Sequence, residues 1–135
     1  MDRLFLDANV LFTAAHNPNG KAAFLFDELS AKRWELVSSG FAIEEARRNI
    51  AAKYPQCQER LGELIEKVTE VSQPAPQEIP IDLPEKDRPI LLAAQAAKAT
   101  HLLTGDLKHF GSHMNKPEKS GGIVIQTVAN YLTSL

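Results

Sequence analysis

Apolar and polar positions divide the chain into short apolar runs separated by longer amphipathic stretches. Leu4, Phe5 and Leu6 form the first run and read as a buried strand, closed by Asp7. His16-Asn17-Pro18-Asn19-Gly20 is dense in turn formers, and the apolar spacing from Lys21 to Leu29 predicts an amphipathic helix. Trp34 to Ser38 predicts a second strand. Ser38, Ser39 and Gly40 supply caps for a helix from Phe41 to about Tyr54, which Pro55 breaks. A further helix is expected from about Gln56 to Lys67, with Leu61, Leu64 and Ile65 on its apolar side, followed by a brief β-like Val68–Val71. Between Ser72 and Pro84, Pro74, Pro76, Pro80 and Pro84 exclude a helix or a central strand, so the segment is a surface connector.

Beyond the connector, Asp87-Arg88-Pro89 opens a helix whose run from Ile90 to Ala99 is nearly all strong helix former, apolar enough around its girth to be buried. His101 to Thr104 reads as a strand ending at Gly105-Asp106. Gly121 to Ile125 reads as the last strand, before a terminal helix carrying Val128, Tyr131 and Leu132. Strands and helices alternating at this spacing predict one α/β domain over residues 1–135, built on a parallel sheet.

Composition narrows the function classes. A chain of 135 residues with 44% hydrophobic content is one ordinary domain with a sizeable core. A formal charge of -2 and a pI near 6.1 exclude a strongly basic nucleic-acid clamp, yet leave room for a local basic face or for a metal that supplies positive charge. The single cysteine, Cys57, has no internal partner and fits a reducing cytosol. Too few apolar residues precede Asp7 for a signal peptide or a membrane span, so a soluble cytoplasmic protein is expected.

The candidate chemistry lies in the acids. Asp7 and Asp106 occupy matching positions, each just after an apolar run, where open parallel sheets place their ligands at the carboxyl ends of strands. Asp87 precedes the buried helix, and Glu44 or Glu45 lies near the start of the helix after the second strand. Carboxylates gathered on one sheet edge raise one another's pKa, and all would be strained without a divalent cation. Hard oxygen donors suit Mg2+ or Mn2+. The alternative for Asp7, Asp87 and Asp106 is that each only caps the helix that follows it.

These residues resemble the motifs of the PIN-domain family. Leu6-Asp7-Ala8-Asn9-Val10-Leu11 resembles the family's opening motif, and Ser39 to Ile50 its segment with a helical glutamate. Asp87-Arg88-Pro89-Ile90-Leu91 and Leu103-Thr104-Gly105-Asp106-Leu107-Lys108-His109-Phe110-Gly111 resemble its third and fourth acidic motifs. The resemblance covers nearly the whole chain. It implies a central parallel sheet flanked by helices and a metal-dependent nuclease acting mostly on RNA, a class that includes many toxins of toxin-antitoxin pairs. It places the family glutamate on Glu45 rather than Glu44. Asp7, Asp87 and Asp106 would then hold one or two Mg2+ ions, with Glu45 joining directly or through water, for in-line attack on a phosphodiester.

Asn9 and Thr104 are placed to hydrogen-bond a ligand carboxylate or a metal-bound water, or else to bond locally within their turns. Arg47, Arg48 and Lys108 are the cations expected to contact substrate phosphates. His109 and His113 have a spacing that suits a metal on one helix, but Gly111 between them predicts a mobile loop instead. Trp34 is expected in the core. A small antitoxin-like partner and a homodimer follow from the resemblance, with Leu61, Leu64 and Ile65 as one candidate contact surface.

Among rivals, a haloacid-dehalogenase-like phosphotransferase needs an acid two residues after the first, where this chain has Asn9. A receiver domain needs a lysine after its last strand, which Ile123-Val124-Ile125-Gln126 does not offer. The rival of a different class is a catalytically silent PIN-like module that binds RNA or a protein.

Overall fold

The first apolar run becomes the centre of the molecule: in β1 (Asp2–Leu6), Leu4, Phe5 and Leu6 are fully buried. The computed structural model describes residues 1–27 and 32–135. Its sheet also contains β2 (Trp34–Ser39), β3 (Thr69–Val71), β4 (His101–Leu103) and β5 (Val124–Gln126). All are parallel, in the order β3-β2-β1-β4-β5. The chain winds outward from β1 in one direction through β2 and β3, then returns past β1 to β4 and β5. The crevice between the carboxyl ends of β1 and β4 is therefore the topological switch point, where sheets of this kind take their ligands.

Helices supply the connections that parallel strands require. α1 (Ala8–His16) begins directly after β1 and stops at Asn17-Pro18, since a proline cannot continue the turn. α2 (Lys21–Phe24) is shorter than the predicted helix: Leu25 to Asp27 form a turn, and the remaining predicted positions, 28 and 29, lie outside the described residues. α3 (Gly40–Lys53) is capped by Ser39, whose Oγ accepts a hydrogen bond from the Ala42 N–H at 3.2 Å, and it ends before Pro55 as expected. A single 3-10 turn over Pro55–Cys57 leads into α4 (Gln58–Glu66). α1, α3 and α4 pack on one another, whereas α5 (Arg88–Ala96) lies across β2 and β4. The right-handed crossover rule for parallel strands assigns these two groups to opposite faces of the sheet.

Four sequence expectations need correction. Leu61 and Leu64, expected as a contact surface between copies, are 2% and 5% exposed and belong to the core, with Ile65 packed against it. The helix expected to run to Ala99 stops at Ala96, because Lys98 takes a left-handed φ of 57°. The last strand starts at Val124 rather than Gly121, because Gly121 and Gly122, at φ 72° and 90°, are not extended. The loop expected around His109 is instead α6 (Leu107–Phe110) followed by a 3-10 turn over Gly111–His113, anchored by the fully buried Phe110. α7 (Val128–Thr133) closes the chain, with Tyr131 buried and its hydroxyl donating to Asp2 at 2.8 Å. Trp34 is a core residue as expected, 2% exposed, with its ring N–H donating to the Leu25 carbonyl at 3.0 Å. Among the described residues no helix is long and apolar enough to cross a membrane.

Because β1 is central and covered on both faces, truncating it leaves a cavity that little can collapse into. Leu6→Ala is expected to cost about 2–5 kcal/mol, seen in urea unfolding as a lower midpoint with an unchanged slope. A loss below about 1 kcal/mol would show that the strand is less tightly packed than its burial indicates.

Candidate metal centre

Asp7 and Thr104 leave β1 and β4 side by side because the register pairs Leu6 with Leu103. The ladder continues one step past the strands: the Asp7 N–H donates to the Leu103 carbonyl at 3.1 Å, and the Thr104 N–H donates to the Gln126 carbonyl at 3.0 Å. On the other side of β1, the Ser38 hydroxyl donates to the Leu6 carbonyl at 2.7 Å. The backbone entering the site is thus held from both neighbouring strands.

The fully buried Thr104 hydroxyl joins the two strand-end acids. It donates to Asp7 Oδ2 at 2.8 Å and accepts from the Asp106 N–H at 3.1 Å and from Asn9 Nδ2 at 3.1 Å, so its one proton and both lone pairs are used. Asn9 reinforces the link, with Nδ2 donating to Asp7 Oδ2 at 3.2 Å and Oδ1 accepting from the Gly105 N–H at 2.6 Å. A Cβ at residue 105 would sit 3.3 Å from that oxygen, a close contact that a larger residue could make only if Asn9 shifted. Asp7 and Asp106 also cap helices. Asp7 Oδ1 accepts from the Ala8 N–H at 2.8 Å, and Asp106 Oδ1 accepts from the His109 N–H at 3.1 Å. The capping reading therefore holds for both of these side chains.

His109, which the sequence reading assigns to a mobile loop, stands among the acids instead. Its ring is held on α6 with Nδ1 at 2.7 Å from Asp106 Oδ2 and 3.2 Å from Asp87 Oδ2. A single Nδ1 proton directed at the nearer oxygen leaves Asp87 Oδ2 buried with no hydrogen bond, even though the distance alone would count as an ion pair. A ring N–H points in one direction and serves one oxygen well. Lys86, also unforeseen, places its ammonium 3.6 Å from Asp87 Oδ1, but its side chain is 66% exposed and well solvated. Asp87 is itself 6% exposed, a buried carboxylate with one oxygen unanswered.

The acids feel one another unequally. Burial pushes the Asp7 carboxyl up to about 6; hydrogen bonds from Thr104 and Ala8 pull it partly back, and the charges of Glu45 and Asp87 raise it further. Asp106 goes the other way. Partial burial opposes its ionisation, but the hydrogen bonds and charge of His109, helped by Lys86, hold it below the ordinary carboxylate range. The expectation that all the acids are strained together is therefore corrected for Asp106, which His109 satisfies.

Each predicted site residue can now be placed. Asp87, Asp106 and His109 offer ligand atoms within 4.8 Å of one another, while Asp7 joins through Thr104. Glu45 is half-buried on α3, near enough to raise the Asp7 pKa; Glu44 is exposed. Arg47, Arg48 and Lys108 are exposed, and Arg47 lines a small cavity with Gln58 and Leu61 on the α4 side. It lies about 200° around the helix from Glu45, whereas Arg48 shares the Glu45 side. A divalent cation fits this donor set: hard carboxylate oxygens converge on an edge where a buried one has no other partner.

Comparison with known proteins places the chain in context. The family profile described as "PIN domain" matches residues 3–108. No curated protein sequence matches it. Among solved structures, it is similar to a chain of VapBC2 from Rickettsia felis, bound to a DNA fragment from their promoter, at 15% identity and a TM-score of 0.66, over 93% of this chain and 98% of that one. It is also similar to a chain of VapBC-1 from nontypeable Haemophilus influenzae, at 18% identity and a TM-score of 0.59, over 94% and 98%. These likenesses concern the fold.

The raised Asp7 pKa makes stability depend on pH. A carboxyl whose pKa is higher folded than unfolded favours the folded state while protonated, so that contribution is lost as pH rises from about 4 through about 6. In EDTA, wild type should lose up to about 3 kcal/mol relative to Asp7→Asn over that range, read from urea midpoints of both proteins at several pH values. Parallel pH curves would show that Asp7 is ordinarily solvated.

Proposed function

This chain belongs to the PIN-domain family, and we propose that it is a metal-dependent ribonuclease hydrolysing RNA phosphodiester bonds at the crevice between β1 and β4. The observation that carries this reading is the unpartnered Oδ2 of buried Asp87, set beside Asp106 at the switch point of the sheet. Mg2+ or Mn2+ held by Asp7, Asp87 and Asp106, with Glu45 close by, would supply Lewis-acid polarisation of the phosphate and a more acidic water for in-line attack.

The remaining work belongs to the chain's own side chains. Thr104 and Asn9 fix the Asp7 carboxylate, and Thr104 ties that position to Asp106 through the backbone N–H, so the ligand oxygens keep their spacing. His109 orients Asp106 by donating from Nδ1 and keeps it ionised. Arg48 and Lys108, both exposed, are suited to phosphate contacts that give affinity without sequence choice. Arg47, turned toward α4, is the weakest of the predicted substrate cations.

The likeness to two VapBC assemblies supports a small antitoxin-like protein as partner, and with it the role of a toxin held in check. A homodimer belongs to the same proposal, through a surface other than Leu61 and Leu64. The cytoplasm is the proposed location, in keeping with the single cysteine, Cys57.

Purified protein is expected to cleave RNA with Mg2+ or Mn2+ and to stop in EDTA; Asp7→Asn and Asp106→Asn should each abolish cleavage while keeping the fold by circular dichroism. Equal cleavage by wild type and both variants would identify a contaminant, and no cleavage by any would favour a silent binding module. The two neighbouring glutamates give a sharper comparison. Glu45→Gln should lower kcat by about tenfold or more, equivalent to about 1.4 kcal/mol of barrier, whereas the exposed Glu44, about 100° away around the helix, should tolerate the same change. The reverse result would move the helical ligand to Glu44.

A further inference from the structure

A groove of ≈ 350 Å³ runs between the first turns of α3 and α5, walled by the proline-rich connector. Phe41 lies in it with 42% of its surface exposed. Arg88 lies opposite, half-buried, and its guanidinium has no hydrogen bond or ion pair among the described residues. The wall is fixed rather than loose: Gln73 Nε2 donates to the Pro89 carbonyl at 3.1 Å, tying the connector to α5. Gln77 and Glu85 add polar groups along the rim.

Two continuities connect this groove to the acids. Phe41 precedes Glu45 by one helical turn and so shares its side of α3, and Arg88 opens α5 directly after Asp87 in the chain. A strand whose phosphate lay at the acids would have its neighbouring nucleotide carried toward the groove. The lining matches what that nucleotide offers. A flat aromatic face suits a base, an unpaired guanidinium suits a phosphate, and carboxamide and carboxylate groups suit a base's polar edge.

We propose that the groove is a nucleobase subsite, in which an unpaired base of the RNA stacks on Phe41 while Arg88 meets the adjacent phosphate. The site thereby selects single-stranded over paired RNA, since a base held in a duplex cannot present its face to the ring. This inference rests on the ribonuclease reading of the carboxylate edge.

The test separates the two. Fluorescence anisotropy in EDTA measures binding of a short fluorescein-labelled single-stranded RNA and of its duplex to wild type, Phe41→Ala and Phe41→Tyr, with thermal melts to check folding. Phe41→Ala should weaken single-strand binding by about tenfold, Phe41→Tyr should restore it, and duplex binding should be equal in all three proteins. In Mn2+, the same loss should appear in KM with kcat little changed. Equal single-strand binding by wild type and Phe41→Ala, or no single-strand binding by wild type, would overturn the subsite even if RNA is cleaved. Phe41-dependent single-strand binding without any cleavage would uphold the subsite and sink the nuclease reading. If Phe41→Ala left RNA binding intact but changed the oligomeric state by light scattering, the groove would be a protein contact and the inference would fall.

Discussion

Thr104 is the joint on which the site depends. Its hydroxyl can reach Asp7 only because β1 and β4 pair in parallel with Leu6 opposite Leu103, and that pairing exists because the chain returns past β1 after building the other half of the sheet. One side chain then answers two acids that lie almost a hundred residues apart in sequence. With no free donor or acceptor left on the hydroxyl, its orientation is fixed, and so are the carboxylate and the backbone N–H on either side of it. Geometry that a bound cation would otherwise have to impose is already present in the protein, so less ordering remains to be done on binding.

The same short edge shifts two carboxylates in opposite directions. Asp7 is enclosed and faces other negative charges, which favours its neutral form, whereas Asp106 has an imidazole and a backbone N–H directed at it, which favours its anion. Environments that push paired acids apart in this way are a mark of sites that handle charge rather than merely bury it. Asp87, beside them, keeps one buried oxygen without a hydrogen bond.

The sheet and its principal acids were legible because they follow from local rules. An apolar run followed by an acid occurs at both Asp7 and Asp106, and chain order alone explains why both acids emerge at the same edge. The family resemblance favours Glu45 over Glu44, and the structure puts the former half-buried and the latter in solvent. What was not legible depends on tertiary packing. The three-residue spacing from Asp106 to His109 is a helix-capping signal, but Gly111 and the nearby lysines masked it until the buried Phe110 fixed the short helix. Leu61 and Leu64 read equally well as a surface or a core stripe, and only the packing of α4 against α1 decides between them. The positive φ angles at Gly121 and Gly122 shift the last strand in a way that composition does not reveal.

Strand order also sets a sequence of events during synthesis. β1 is made first, yet one of its two neighbours in the sheet is β4, whose residues emerge after most of the chain. β1, β2 and β3 can associate on the ribosome as they appear, whereas one side of β1 waits for His101–Leu103. Until then Asp7 has neither Thr104 nor Asp106 beside it. A polypeptide that has not yet reached Thr104 therefore carries the first acid without the last, and the assembled edge waits for the long closure that joins the two halves of the sheet.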